Sequence, residues 1–174
     1  MKPATRRTAF RIQLGDAIAS STASESTRQL LGLLVELDMD GPVAHCVIEL
    51  AAGAPPATGD AVEVKLDAGS GLTAVFTGKV ASVEAGTVGL RIEAHGAFTA
   101  LGQTEVEGSY ENVSADFIIK DLIGKAGATA GTLAKGPTLA LWTLHRGPTA
   151  LGHLRGLAAL CGAGLFADGE GAIH

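Results

Sequence analysis

Aromatic side chains and cysteines are scarce in this sequence, and long apolar runs are missing. Its 174 residues include five phenylalanines, one tyrosine, one tryptophan and two cysteines. Binding sites for oligosaccharides and single-stranded nucleic acids stack their ligands on several aromatic rings, so this composition disfavours both ligands. A membrane-spanning helix needs about 20 consecutive, mostly apolar residues. No segment approaches that length, and we expect no membrane insertion.

A concentration of positive charge is also missing. Lysine and arginine total 13 against 18 acidic residues, which gives a formal net charge of −5. Proteins that bind nucleic acids or membrane surfaces carry basic patches, so we expect neither partner. The N-terminal segment 1–11 is basic, but no apolar run follows it. No secretory signal is predicted, and synthesis in the cytoplasm is expected.

The two cysteines are interpreted as reduced core residues. Cys46 shares a predicted strand face with Ala44, Ile48 and Leu50, and Cys161 lies on the apolar face of a predicted helix. Free cysteine behaves as a small apolar side chain, and disulfides are rare in cytoplasmic proteins. No disulfide between them is expected.

Alternation of apolar and polar residues with a period of two is the strongest pattern present. Val62, Val64 and Leu66, for example, are interleaved with charged residues. This spacing is typical of a strand with one buried and one solvated face. It predicts strands over residues 8–14, 31–37, 43–50, 61–67, 73–84 and 88–95, with a weaker extended segment at 97–107. Consecutive strands joined by turn residues predict an antiparallel β-barrel.

After Asn112 the spacing of apolar residues changes from that of a strand to that of a helix. Ser114 is a predicted N-cap of a helix that ends near Gly127, and a short strand is predicted at 139–145. A second helix is predicted over 150–161, followed by a hairpin at 164–174. The predicted fold is therefore α+β, with a β-barrel domain over residues 1–110 and a small helix-strand-helix-hairpin subdomain over 111–174.

No group of residues has the spacing of a catalytic or metal-binding site. None of the five histidines belongs to an HxxxH motif, and the two cysteines do not form a CxxC motif. Ser70 lies between two glycines in a predicted turn and not in a GxSxG elbow. Glu105 and Glu107 share one predicted strand face, but nothing nearby would desolvate either carboxylate. Two glycine-containing segments, Gly124-Lys125 and Gly162-Ala163-Gly164, lack the order of strand, loop and helix that phosphate and dinucleotide sites require. We predict no catalytic, cofactor-binding or metal-binding residue, and we interpret Trp142 as a core residue.

From about Thr58 onward the chain resembles the phage late control protein D family, the tail hub proteins of contractile phages. These proteins are related to the N-terminal part of type VI secretion spike proteins. The resemblance covers about two-thirds of the chain and lies in five segments in the same order: TGDAVEV at 58–64, AVFTGKV at 74–80, LRIEAHG at 90–96, YENVSADFI at 110–118 and LHRGPTALGHL at 144–154. A final segment at 165–169, LFADG, resembles the family's ensuing hairpin.

The resemblance implies a non-enzymatic structural role in a phage tail or a phage-like injection particle. Family members join the tail tube to the spike as a trimer or a hexameric or pseudo-hexameric ring, so the implied partners are copies of this chain, a tube protein and a spike protein. Two features depart from the family. Thr149-Ala150 replaces its helix-opening Ser-Asp, and the sequence ends at His174 where members continue into a second barrel. We expect either that the hub is abbreviated or that a separate chain or additional copies supply that barrel.

Two other functions fit an antiparallel barrel. One is a module that binds an oligosaccharide or single-stranded nucleic acid, which the dispersed aromatic residues disfavour. The other is a small hydrolase, which the missing nucleophile and base disfavour. Under the hub interpretation, the segments 15–28 and 52–59 are expected assembly contacts, because both are longer than a hairpin requires.

Overall fold

The computed structural model describes residues 8–21, 27–37 and 44–174. The chain divides into two compact units, Met1–Val35 with His45–His95, and Glu36–Ala44 with Gly96–His174. The predicted turn at 38–42 lies outside the described residues. The domain boundary near residue 110 remains a prediction.

The first unit is built on an eight-stranded sheet. In chain order the strands are β1 (Phe10–Leu14), β2 (Ala17–Ser20), β3 (Thr27–Arg28), β4 (Leu30–Glu36), β5 (His45–Ala51), β6 (Ala61–Asp67), β7 (Leu72–Ala85) and β8 (Gly89–Gly96). They lie in the order β3-β2-β1-β6-β7-β8-β5-β4. The pairs β1–β2, β1–β6, β6–β7 and β5–β8 are antiparallel, and β2–β3 is parallel.

The period-two alternation places one face of these strands in the first core. Ile12 lies opposite Val64, and Val64 lies opposite Phe76. The three side chains form a row across the sheet and are at most 1% exposed. Facing side chains on adjacent strands contact each other directly, so this row stabilises the pairing of β1, β6 and β7.

The sheet is curled, and the predicted closed barrel is wrong. The edge strands β3 and β4 are consecutive in the chain, with only Gln29 between them. Strand β3 pairs with β2, and β4 pairs with β5. The two edge strands therefore follow each other along the chain and do not pair with each other to close a barrel. A bulge in β7 opposite Val64 and Lys65 adds to the twist that bends the sheet.

The second unit combines three helices with two small sheets. Its elements are α1 (Phe98–Gln103), β9 (Gly108–Ser114), α2 (Ala115–Lys125), β10 (Thr129–Ala130), β11 (Thr138–Leu144), α3 (Ala150–Cys161) and β12 (Ala172–Ile173). Strands β9 and β11 are antiparallel, whereas β10 and β12 are parallel. A second core fills this unit, and its fully buried members include Leu101, Ile118, Leu122, Leu154 and Leu157.

The predicted helices at residues 115–126 and 150–161 are confirmed as α2 and α3. Ser114 and Thr149 are the N-cap residues, but neither side chain makes a capping hydrogen bond. Gly127 follows the end of α2 with a φ of +67°, a conformation that glycine adopts without strain.

The extended segment predicted at 97–107 is wrong, because Phe98–Gln103 is the helix α1. Phe98 and Leu101 are buried on one side of it. With six residues, α1 offers only this one pair at helical spacing, too little periodicity to distinguish a helix from a strand.

The C-terminal segment folds back on itself. Phe166 and His174 exchange two backbone hydrogen bonds, of 3.2 and 2.9 Å. The Asp168 carboxylate accepts hydrogen bonds from the backbone N–H groups of Glu170 and Ala172 and so shapes the turn. Within β12, Ile173 is fully buried in the second core.

Candidate functional site

The serine considered as a nucleophile lies in an exposed turn. Ser70 is in the connection between β6 and β7, where Asp67 Oδ1 accepts hydrogen bonds from the N–H groups of Gly69 and Gly71 at 2.6 and 2.9 Å. This arrangement stabilises the turn. Ser70 is itself exposed, as expected for a turn residue.

The two glutamates considered for acid–base chemistry are both exposed. Glu107 Oε2 accepts a hydrogen bond from Arg146 Nε at 2.8 Å, and the backbone of Glu105 forms a bridge with Thr149. A general acid needs a carboxyl whose pKa is raised by burial. Neither residue is in such an environment.

Lys125 belongs to a polar cluster that connects α2 to β9. Its Nζ lies 2.8 Å from Asp121 Oδ2 and donates a hydrogen bond to the Tyr110 hydroxyl at 3.0 Å. The hydroxyl donates to Asp121 at 2.6 Å. The hydrogen bonds from Lys125 and Tyr110 lower the pKa of Asp121, and the bond to Asp121 raises the pKa of Lys125. The cluster joins two elements, and Lys125 stands at a helix end where no phosphate loop could form.

The structure pairs four of the five histidines. His45 and His95 are opposite each other on β5 and β8 with ring centroids 5.8 Å apart. His145 and His153 lie at right angles with centroids 5.3 Å apart. His174 contacts Asp168. Within residues 8–21, 27–37 and 44–174, no group of three or more histidine, cysteine or acidic side chains is placed to hold a metal ion.

The two cysteines, Trp142 and Gly162 lie in surroundings that indicate a structural role. Cys46 and Cys161 are free, and burial raises the pKa of the Cys46 thiol to about 12, which keeps it protonated and unreactive. Trp142 packs against the second core, as the core interpretation predicted. Gly162 ends α3 in the left-handed conformation.

The predicted contact segment 15–28 is not a single loop. Gly15 and Asp16 form a two-residue turn, with Gly15 at a φ of +53°, and β2 and β3 occupy most of the described residues that follow. Residues 22–26 lie outside the described part of the chain. The segment 52–59, in contrast, connects β5 to β6 without strand structure and is mostly exposed.

Two large apolar side chains of β4 are exposed. Leu31 and Leu34 are 49% and 50% exposed, and none of the leucines of this edge strand is buried. Val88, at the turn between β7 and β8, is 83% exposed. An edge strand with apolar side chains presents unpaired backbone groups to other chains. This surface can bind a protein partner more readily than it can bind a small polar ligand.

None of the helices in the described residues is long and apolar enough to cross a membrane.

No protein-family model and no curated protein matches the sequence. Two solved structures do match the fold. The 43 kDa tail protein of prophage MuSo2 from Shewanella oneidensis superposes with a TM-score of 0.74 at 15% identity, covering 97% of this chain and 55% of the other. The tail protein from Neisseria meningitidis MC58 superposes with a TM-score of 0.76 at 15% identity, covering 97% and 51%.

The chain has the fold of these phage tail proteins. It spans about half of their length.

Proposed function

We propose that this chain is a structural component of a phage tail or a phage-like contractile injection system. The observation that carries the proposal is the fold similarity to two tail proteins over 97% of the chain. The surroundings of several candidate residues support a non-enzymatic role, because Ser70 lies in a turn and Glu107 and Lys125 are in ion pairs.

More specifically, we propose a baseplate hub that joins the tail tube to the spike. The five segments that resemble the late control protein D family support this assignment, and so does the surface of the first unit. The half-exposed leucines of β4 and the projecting Val88 are suited to contacts with other tail proteins. The proposed partners are copies of this chain in a trimer or hexameric ring, a tube protein and a spike protein.

The net charge of −5 is compatible with a ring whose lumen does not retain nucleic acid. The chain would be synthesised in the cytoplasm and incorporated into the particle.

Assembled particles provide the test. An antibody against this chain, followed by electron microscopy, should label purified particles at the junction of tube and spike. Native mass spectrometry of the isolated complex should give three or six copies. Label elsewhere on the tail would refute the hub assignment but not the tail role. Absence of the chain from intact particles would refute both.

A further inference from the structure

The second unit contains a buried histidine with one unpaired ring nitrogen. His153 lies on α3 with 4% of its surface exposed, and its Nε2 is buried without a hydrogen-bond partner among the described residues. Leaving a buried polar atom unpaired costs about 1–3 kcal/mol. Such an atom in a native fold calls for an explanation, and a bound ion is one of the recognised explanations.

His145 lies beside it on the segment that follows β11. Its side chain is exposed, and its ring is at 85° to the ring of His153 with centroids 5.3 Å apart. The neighbouring Arg146 is engaged with Glu107, so its charge is partly balanced by a carboxylate. An entering ion could therefore reach His145 from solvent and then meet the buried ring.

The separation of the two rings fits a shared metal ion. An imidazole nitrogen binds zinc at about 2.0–2.1 Å, which places each ring centroid about 3 Å from the ion. Two rings at a tetrahedral angle then have centroids about 5 Å apart. The observed centroid separation of 5.3 Å is close to this value.

We infer that His145 and His153 form a two-histidine site for a divalent first-row transition ion, with water in the remaining positions. Imidazole favours copper, nickel and zinc, whereas magnesium and calcium prefer oxygen ligands. The affinity should increase from nickel to copper and fall again at zinc. This inference is independent of the proposed tail function.

The only tryptophan in the sequence provides the readout. A side chain at Gly156, one helical turn beyond His153, would lie 3.8 Å from the Trp142 ring, so the indole lies beside this part of α3. Bound Cu²⁺ quenches nearby indole fluorescence. Titrating chelator-treated, tag-free protein with Cu²⁺ should give saturable quenching at one equivalent.

His145→Ala is the decisive variant, because an exposed side chain can be removed without disturbing the core. This variant should raise the Cu²⁺ concentration at half-maximal quenching at least about tenfold, because loss of even an outer partner of a metal ligand lowers the affinity by that much. The control is His45→Ala with His95→Ala, which removes the other histidine pair and should leave the midpoint unchanged.

Three results would overturn the inference. They are quenching that never saturates, a His145→Ala protein that binds like the wild type, and loss of binding in the control. Thermal unfolding in the presence of Zn²⁺ gives a second measurement, because an ion bound only to the folded state raises the midpoint. The wild type should show this rise and the His145→Ala protein should not.

Discussion

His174 Nε2 lies 2.9 Å from Asp168 Oδ2, and the His174 ring is stacked on Phe166 with centroids 5.0 Å apart. Nδ1 of the same ring accepts a hydrogen bond from the N–H of Thr132 at 3.1 Å. The last residue of the chain is thereby connected to the turn before it and to the segment after β10. These contacts hold β12 beside β10, where Ile173 completes the second core.

The Asp168 carboxylate should make stability depend on pH in the acidic range. The hydrogen bond from His174 is the main cause that lowers the pKa of Asp168. A carboxyl with a lowered folded-state pKa stabilises the fold above its unfolded value of about 4, and this contribution is lost as the pH falls through the folded-state pKa. Asp168→Asn should therefore reduce the free energy of unfolding at pH 7 and lose less stability on acidification.

Urea unfolding at several pH values measures this difference. Asp16→Asn, in the exposed turn between β1 and β2, is the matched control and should follow the wild-type profile. Parallel acid profiles for wild type and Asp168→Asn would show that the contact with His174 does not contribute.

Tyr110 should ionise above the usual pH for tyrosine. Partial burial and the hydrogen bond to Asp121 raise its pKa. A raised folded-state pKa contributes stability below the unfolded value of about 10, which is lost as the pH rises through the folded-state pKa. Absorbance at 295 nm reports this residue alone, because it is the only tyrosine. Asp121→Asn should move the titration part of the way toward the value in urea, since burial remains. A midpoint equal to that of the unfolded chain would contradict the proposed environment.

Gly89 should not tolerate a side chain. A Cβ at Gly89 would collide with the carbonyl oxygen of Leu50 on the neighbouring strand. Because the obstacle is backbone, Gly89→Ala should destabilise the first unit by about 1–3 kcal/mol. Gly86→Ala is the control, since its nearest neighbour would lie at 3.6 Å, an ordinary contact distance. Chemical denaturation compares the two, and equal stabilities would argue against the close approach of β5 and β8.

The exposed leucines of β4 should contribute to association more than to folding. Leu31→Lys with Leu34→Lys changes side chains that are about half exposed. We expect the unfolding midpoint to change little and self-association to decrease, because lysine on an edge strand opposes pairing with another chain. Sedimentation velocity measures the change. Leu160→Lys on α3, 55% exposed, is the control and should assemble normally. Wild-type assembly of the β4 variant would exclude this strand as a contact.

The regular elements could be predicted because their signals are local. The interleaving of Val62 and Val64 with charged residues identified β6, and the apolar spacing of Leu151, Leu154 and Leu157 identified α3. The short strand β2 was not predicted, because the four residues AIAS show no alternation of apolar and polar side chains. Val88 was included in a predicted strand, but it lies in the turn, since β8 begins at Gly89.

The histidine pair shows what spacing cannot reveal. His145 and His153 are eight residues apart and match no metal-binding motif. The fold brings them together because α3 begins at Ala150, soon after β11 ends at Leu144, and turns back toward the segment between them. The closest sequence signal was the histidine content itself, which says nothing about proximity.

The sequence by itself determined where strands and helices form and which side chains face a core, because periods of two and 3.6 residues follow from backbone geometry. It also determined the low positive charge and the shortage of aromatic rings. Only the tertiary structure decided that the first sheet curls without closing, because that outcome depends on which strands β3 and β4 pair with. It likewise decided that Asp168 meets His174 and that His145 meets His153. These contacts result from chain reversals and packing, which no local period encodes.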